Sequence, residues 1–218
     1  MNEEIKPIEE RKQDPGVEKQ ATILIIIFII LAIILASFFL FKGSNKDHFV
    51  YNNLEFYKIN DSNLTWYTTN VTVNVKNRSA DYLFYFRIDP RKTGKISFKD
   101  ELNIFNKSYV SFSSESLSCE AANLVGWNLG DFLGRMGSKV SAGRTEKNDS
   151  NDTVKIINCS TDLNATTIIL KANNSKSRIY LDKNNPNCII LEAKDCEIIE
   201  ISERFIIKML SDLQIEKI

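Results

Sequence analysis

Residues 21–41 read ATILIIIFIILAIILASFFLF, a run of 21 positions without one charged or amide side chain. That run decides most of what the chain is able to become. At about 1.5 Å of rise per helical residue it spans roughly 31 Å, close to the hydrocarbon thickness of a bilayer. A soluble helix that is apolar all round needs protein on every side, more than 218 residues readily supply. A cleaved signal peptide has a shorter apolar core, about 7–15 residues, ending at a small-x-small site. Here Ala36 and Ser37 are followed by Phe38, Phe39, Leu40 and Phe41. The run therefore predicts an uncleaved transmembrane helix through which the chain meets the lipid bilayer.

The 20 residues before it mix charges and carry few apolar side chains. Such a tail buries too little surface to offset its ordering entropy and is expected to be disordered. After the anchor come a short linker, 42–47, and a stretch, 48–218, long enough for one domain with its own core. The formal net charge is zero with both signs interspersed. No basic block points to nucleic acid, and no polybasic segment adjoins the anchor.

Three signals give the domain a side. Lys6, Arg11, Lys12 and Lys19 precede the anchor against Lys42 and Lys46 just after it, which places the N-terminus in the cytoplasm. All four cysteines (Cys119, Cys159, Cys188, Cys196) follow the anchor without CxxC spacing, as disulfides in an oxidising compartment would. Ten Asn-x-Ser/Thr acceptor sites also follow it: Asn60, Asn63, Asn70, Asn77, Asn106, Asn148, Asn151, Asn158, Asn164 and Asn173. Chance pairing of the Asn, Ser and Thr present predicts about three. In Asn70-Val-Thr-Val-Asn-Val the alternation sends the valines inward and Asn70 and Thr72 outward. The expectation is a single-pass protein of the cell membrane, its C-terminal domain extracytoplasmic and glycosylated.

Within that domain His48–Ile59, Leu64–Val75, Tyr82–Ile88 and Ser108–Ser113 read as strands. Tyr82–Ile88 is continuously apolar, which suits burial on both faces. Asp89-Pro90 breaks it. A helix is expected over Leu117–Met136, with Ala121, Val125, Leu129, Phe132, Leu133 and Met136 on one face. Ala122, Gly126, Gly130 and Gly134 recur every four residues along it. Each glycine costs about 1 kcal/mol in a helix interior, so the series predicts close packing on that side against the sheet or the other helix, with a partner-binding face as the alternative. Short strands follow at Lys139–Arg144, Val154–Asn158, Thr166–Ala172, Ser177–Leu181 and Cys188–Ala193, with a hairpin turn at 173–175. Asp195 is placed to cap a closing helix over Cys196–Leu213. The sum is an α+β fold: a largely antiparallel sheet with two helices packed on one face.

Four cysteines allow three pairings. Joining Cys188 to Cys196 fails if the chain between them is extended, because eight strand residues span roughly 26 Å against about 6 Å for a disulfide. Cys159 and Cys188 sit at strand ends, Cys119 and Cys196 at the first turns of two helices, which predicts Cys159–Cys188 and Cys119–Cys196. A helix N-terminus also stabilises a thiolate, so Cys119/Cys196 doubles as a candidate redox pair. Catalytic signals are otherwise sparse. The one histidine, His48, lies only seven residues past the anchor, which argues against a Ser-His or Cys-His nucleophile pair and a His-ligated zinc site. Asp149 and Asp152 lack the spacing of a calcium loop, and Asp89-Pro90-Arg91 reads as a turn. No catalytic, cofactor-binding or metal-binding residue is assigned.

An early anchor comes first, then Trp66-Tyr67-Thr68, Asp89-Pro90-Arg91, a Gly-rich helix opening at Cys119, Cys188-Ile189-Ile190 and Glu203-Arg204-Phe205. Together these resemble single-pass membrane proteins of small-genome archaea, a group without an assigned activity. The resemblance implies an extracytoplasmic, N-glycosylated domain and no particular chemistry. Function is thus expected to be binding or structural in the cell envelope, with a protein partner. The alternative is an extracytoplasmic enzyme using carboxylates or the Cys119/Cys196 pair.

Overall fold

The structure, a computed structural model, describes residues 26–33, 47–75, 78–96, 98, 102, 104–147, 153–173 and 175–215. The chain divides into two units, Met1–Asn45 and Lys46–Ile218. In the first, residues 26–33 form a helix (α1) with exposed side chains. The rest of the expected 21–41 span lies outside the described residues. Among the described residues no helix is long and apolar enough to cross a membrane.

The second unit is α+β and holds two sheets. The first is an antiparallel meander in the order β1-β2-β3-β4: β1 His48–Tyr51, β2 Leu54–Asp61, β3 Leu64–Val75 and β4 Arg78–Phe86. Asn52 and Asn53 both take positive φ (50° and 58°) in a two-residue turn that divides the expected 48–59 region into a hairpin. Strict alternation then sorts the faces. Leu54, Phe56, Val71, Val73, Phe84 and Phe86 point into the core, while Tyr57, Ile59, Leu83 and Tyr85 stay exposed. Asn70 is exposed between the buried Val71 and the buried Thr69, as the alternation predicts. The continuous run at Tyr82–Ile88 misleads: β4 is an edge strand buried on one face only, so Leu83 and Tyr85 on its other face meet solvent.

The second sheet departs from the expected antiparallel arrangement. Its order is β6-β5-β7-β9-β8, from β5 Lys107–Phe112, β6 Lys139–Arg144, β7 Thr166–Asn173, β8 Arg178–Leu181 and β9 Cys188–Lys194. The β5–β6, β5–β7 and β7–β9 pairs are parallel, and only β8–β9 is antiparallel. Parallel neighbours need a long crossover, and a helix supplies it between β5 and β6. The hairpin expected at 173–175 does not form, because β9 lies between β7 and β8. The strand expected over Val154–Asn158 is reduced to one bridge, Arg144 with Ile156.

Short helices α2 Pro90–Thr93 and α3 Ser114–Leu117 are capped by the Asp89 and Ser113 side chains. The helix expected from Leu117 begins later, as α4 Ala122–Arg135, after a turn that contains Cys119. The last helix, α5, runs Ile198–Ile215. Asp195 adopts φ 51° in the turn that leads into it. Both long helices touch both sheets. Phe132 of α4 packs edge-on between Phe84 of β4 and Phe205 of α5 at centroid distances of 6.2 and 6.0 Å. On the other side Val110, Phe112, Ile168, Leu170, Ile189 and Leu191 close the same core.

The glycine series of α4 splits in two. A Cβ on Gly126 would stand 3.0 Å from the Phe112 ring, so close packing holds there. At Gly130 and Gly134 a Cβ would meet nothing within 4 Å. Gly130→Ala and Gly134→Ala should therefore each stabilise the domain by up to about 1 kcal/mol through helix propensity. Gly126→Ala should give no gain or a loss. Urea unfolding of the three variants checks this, and equal gains at all three would refute the packing difference.

Candidate functional site

Both expected disulfides are present. Cys119–Cys196 joins the turn before α4 to the turn before α5, with Cα atoms 5.5 Å apart. Cys159–Cys188 joins the 145–165 connection to the start of β9, at 5.3 Å. Cys119 is buried in the core, and both members of the candidate redox pair are bonded to each other. The other sequence candidates are tied into local structure. Asp89 accepts from the backbone and guanidinium of Arg91, which also stacks over Phe49 at 4.1 Å. His48 stacks on Tyr57 at 4.7 Å and lies 3.8 Å from Glu55. Asp149 and Asp152 lie outside the described residues. Among the described residues no three His, Cys, Asp or Glu side chains converge as metal ligands would.

Of the ten acceptor asparagines, Asn77, Asn148 and Asn151 fall outside the described residues. Asn60, Asn63, Asn70, Asn106, Asn158 and Asn164 are exposed. Asn173 differs: its Oδ1 accepts from the backbone and hydroxyl of Ser175, and its Nδ2 is enclosed. An amide nitrogen in that position is not presented for modification.

Two concavities remain as candidate sites. One, of about 610 Å³, lies over the outer face of the second sheet. Ile169, Ile190 and Leu163 are its apolar lining, with Glu115, Glu146, Lys171 and Asp182 among its polar groups. It adjoins the C-terminal end of β5, from which one connection leads to β6 while β7 lies on the opposite side, a topological switch point. Its carboxylates already serve the loops. Asp182 accepts from the backbone of Asn184 and Asn185, and Glu146 from that of Ser114. Glu115 is held below the usual carboxylate range by its own backbone N–H and by the Ser113 hydroxyl. The carboxyls pushed upward by burial, Glu200 and Glu203, line two smaller concavities elsewhere, of about 370 and 240 Å³.

The other concavity, of about 550 Å³, is framed by Ile59, Trp66, Tyr85 and Arg87 of the meander sheet and by Leu124 and Trp127 of α4. Trp127 is 70 % exposed and Tyr85 57 %. Trp66 meets Tyr85 edge-on at 6.4 Å, and the Arg87 guanidinium lies 5.1 Å above the Trp66 ring. Sequence reasoning missed this groove. The available signal was Trp127 itself, which falls on the polar side of α4 beside Asn123 and Asn128, where a core residue has no reason to be.

Two side chains hold backbone groups along and just beyond β4 beside the groove. Arg135 donates to the Leu83 carbonyl at 3.1 Å. Glu203 of α5 accepts from the backbone N–H of Arg87 and of Ile88, at 2.7 and 2.9 Å. Glu203 is 2 % exposed, and burial pushes its pKa up to about 7 against the downward pull of those two donors. No family model, curated protein or solved structure matches the chain.

The Glu203 shift has a defined sign. A carboxyl with a folded-state value near 7 and an ordinary value of 4.5 contributes stability that is complete below pH 4.5 and is lost as pH rises to about 7. The loss should be at most about 3 kcal/mol. Asp89, Asp162 and Glu192 are shifted downward and lose their contributions below about pH 4.5, so stability should peak near pH 5. Urea denaturation between pH 3 and 8 measures this. Glu203→Gln should flatten the decline between pH 5 and 7, and an unchanged slope in that variant would show that another group titrates.

Proposed function

We propose that the chain is a membrane-anchored binding component of the cell envelope. Residues 21–41 cross the bilayer, residues 1–20 stay in the cytoplasm, and the Lys46–Ile218 unit stands outside. The observation that carries the binding reading is the aromatic groove between the meander sheet and α4. Trp127 is the most exposed large apolar side chain among the described residues of the domain and stands with Tyr85 and Ile59 around one concavity, and clustered exposed apolar surface of this kind marks an interaction site. Support for the location comes from elsewhere in the domain. All four cysteines are bridged, as an oxidising compartment favours. Six of the seven described acceptor asparagines are exposed.

The binding surface and the acceptor sites are compatible. Asn70 shares a face of β3 with Trp66 but lies four residues along, about 13 Å at strand rise. A glycan at Asn70 therefore leaves the Trp66 end of the sheet accessible. The enzyme alternative keeps the Glu115, Glu146 and Asp182 cleft as its site. It is disfavoured by the hydrogen bonds through which Asp182 and Glu146 already hold the loops and by the bonded state of Cys119 and Cys196.

The location is tested on the full chain in intact cells. Protease added outside should degrade a C-terminal tag and spare an N-terminal one. Mass spectrometry should find glycans among Asn60, Asn63, Asn70, Asn106, Asn158 and Asn164, with Asn173 bare. Protection of the C-terminal tag would overturn the orientation, and a mature chain starting near Ser37 would make residues 21–41 a signal peptide.

A further inference from the structure

We propose that the groove between the meander sheet and α4 binds a neutral oligosaccharide chain. The inference rests on reading the domain as a binding module and supplies the chemical class of its ligand. A pyranose ring has flat faces of C–H bonds and a rim of hydroxyls. It is recognised where aromatic faces lie open beside in-plane hydrogen-bonding groups, since the faces shed water onto the rings while the hydroxyls keep polar partners. The groove offers that combination. Trp127 and Tyr85 present exposed rings, Trp66 stands edge-on to Tyr85, and Asp61, Arg87 and Asn128 line the same space.

The charge of the lining, the engaged backbone and the size of the groove weigh against the competing occupants. Asp61 and Arg87 give the lining one carboxylate and one guanidinium, so its formal charge balances and complements a neutral ligand. Nucleic acid and anionic lipid call instead for clustered Lys and Arg. An extended peptide would bind by adding a strand to the edge of β4. Arg135 already holds the Leu83 carbonyl on that edge, and Glu203 holds the Arg87 and Ile88 N–H groups. A globular protein needs roughly 800 Å² per partner, a broad surface, whereas about 550 Å³ between sheet and helix suits a slim chain.

The sequence provides the probe. It contains two tryptophans, Trp66 and Trp127, and both line this groove. Intrinsic fluorescence of the full chain in lipid nanodiscs therefore reads the site directly. The titrants are neutral oligosaccharides of four to six hexose or N-acetylhexosamine units. At least one should give a saturable change in emission. Trp127→Ala and Tyr85→Ala, both at exposed positions that leave the core intact, should weaken binding at least tenfold, followed calorimetrically. Lys171→Ala, in the cleft on the second sheet, should leave affinity unchanged.

No saturable response to any of these saccharides overturns the assignment, as does loss of binding in Lys171→Ala with retention in Trp127→Ala. Photo-crosslinking from position 83 in intact cells separates that failure from failure of the binding reading. If saccharides give no response but crosslinks to an envelope protein vanish in Trp127→Ala, the ligand class is wrong and the binding surface stands. If crosslinks are absent as well, both readings fall.

Discussion

The buried carboxylate of Glu203 is the point at which the two halves of the domain are joined. It leaves α5, which packs on the second sheet, and takes both N–H groups at the end of β4, the last strand of the first. A strand edge that reaches the core with unsatisfied donors costs several kcal/mol, and a buried carboxylate without donors costs more. Each group makes the other tolerable. Phe132 of α4, held between Phe84 and Phe205, brings the same two elements, β4 and α5, into apolar contact through a third. The polar clamp fixes register along β4 and the ring stack fixes distance. Neither is covalent, whereas both disulfides lie in the part of the molecule built from α3, α4, α5 and the second sheet. The meander sheet is thus the half whose attachment depends on protonation and packing.

That division bears on β4, an edge strand with aromatic side chains on its open face. β4 has Tyr85 and Leu83 on its open face and would otherwise be a template for strand addition. Arg135 and Glu203 occupy backbone groups on its free side, one from each long helix. The rings remain open while part of the backbone beside them is already engaged. A surface made this way favours ligands that stack over ligands that zip. The exposure of Trp127 is sustained by the same geometry, because α4 is held alongside β4 with its apolar stripe already spent on the core.

The parts of this fold legible in the sequence were those set by local periodicity. The valines of β3, the apolar face of α4 and the spacing of α5 placed their elements within a few residues. The disulfide pairing was legible because strand rise excludes one partner and helix starts favour another. Strand direction was not. Thr167 to Leu170 and Cys188 to Leu191 are buried on both faces, and such continuous runs are the mark of parallel strands covered on both sides. The same kind of run in β4 arose differently, from a core face and a face left bare. Hydrophobicity records that a side chain is apolar, and it does not record whether a protein layer or a ligand is there to meet it. For this reason the candidate groove lay within a segment that composition alone assigned to the interior.

The second sheet shows what its parallel order requires. With β5 between β6 and β7, the chain crosses on the inner face through α4, and residues 153–165 of the return lie over the outer face. Among its described residues that return has no regular helix and relies on point attachments. Ile157 and Ala165 bury against Tyr109, Ser111 donates to the Ile157 carbonyl, and Lys107 pairs with Asp162. Gly143 sits where a Cβ would lie 2.4 Å from the Lys155 carbonyl, so the return presses against β6 at that position. Cys159–Cys188 then pins it to β9. A connection so short of hydrogen-bonded regular structure would open first in the absence of a covalent tie, and with it would go the cover over the apolar outer faces of Ile169 and Ile190. The bridge is therefore placed where the fold has the least regular structure to spare, and the need for it follows from the topology.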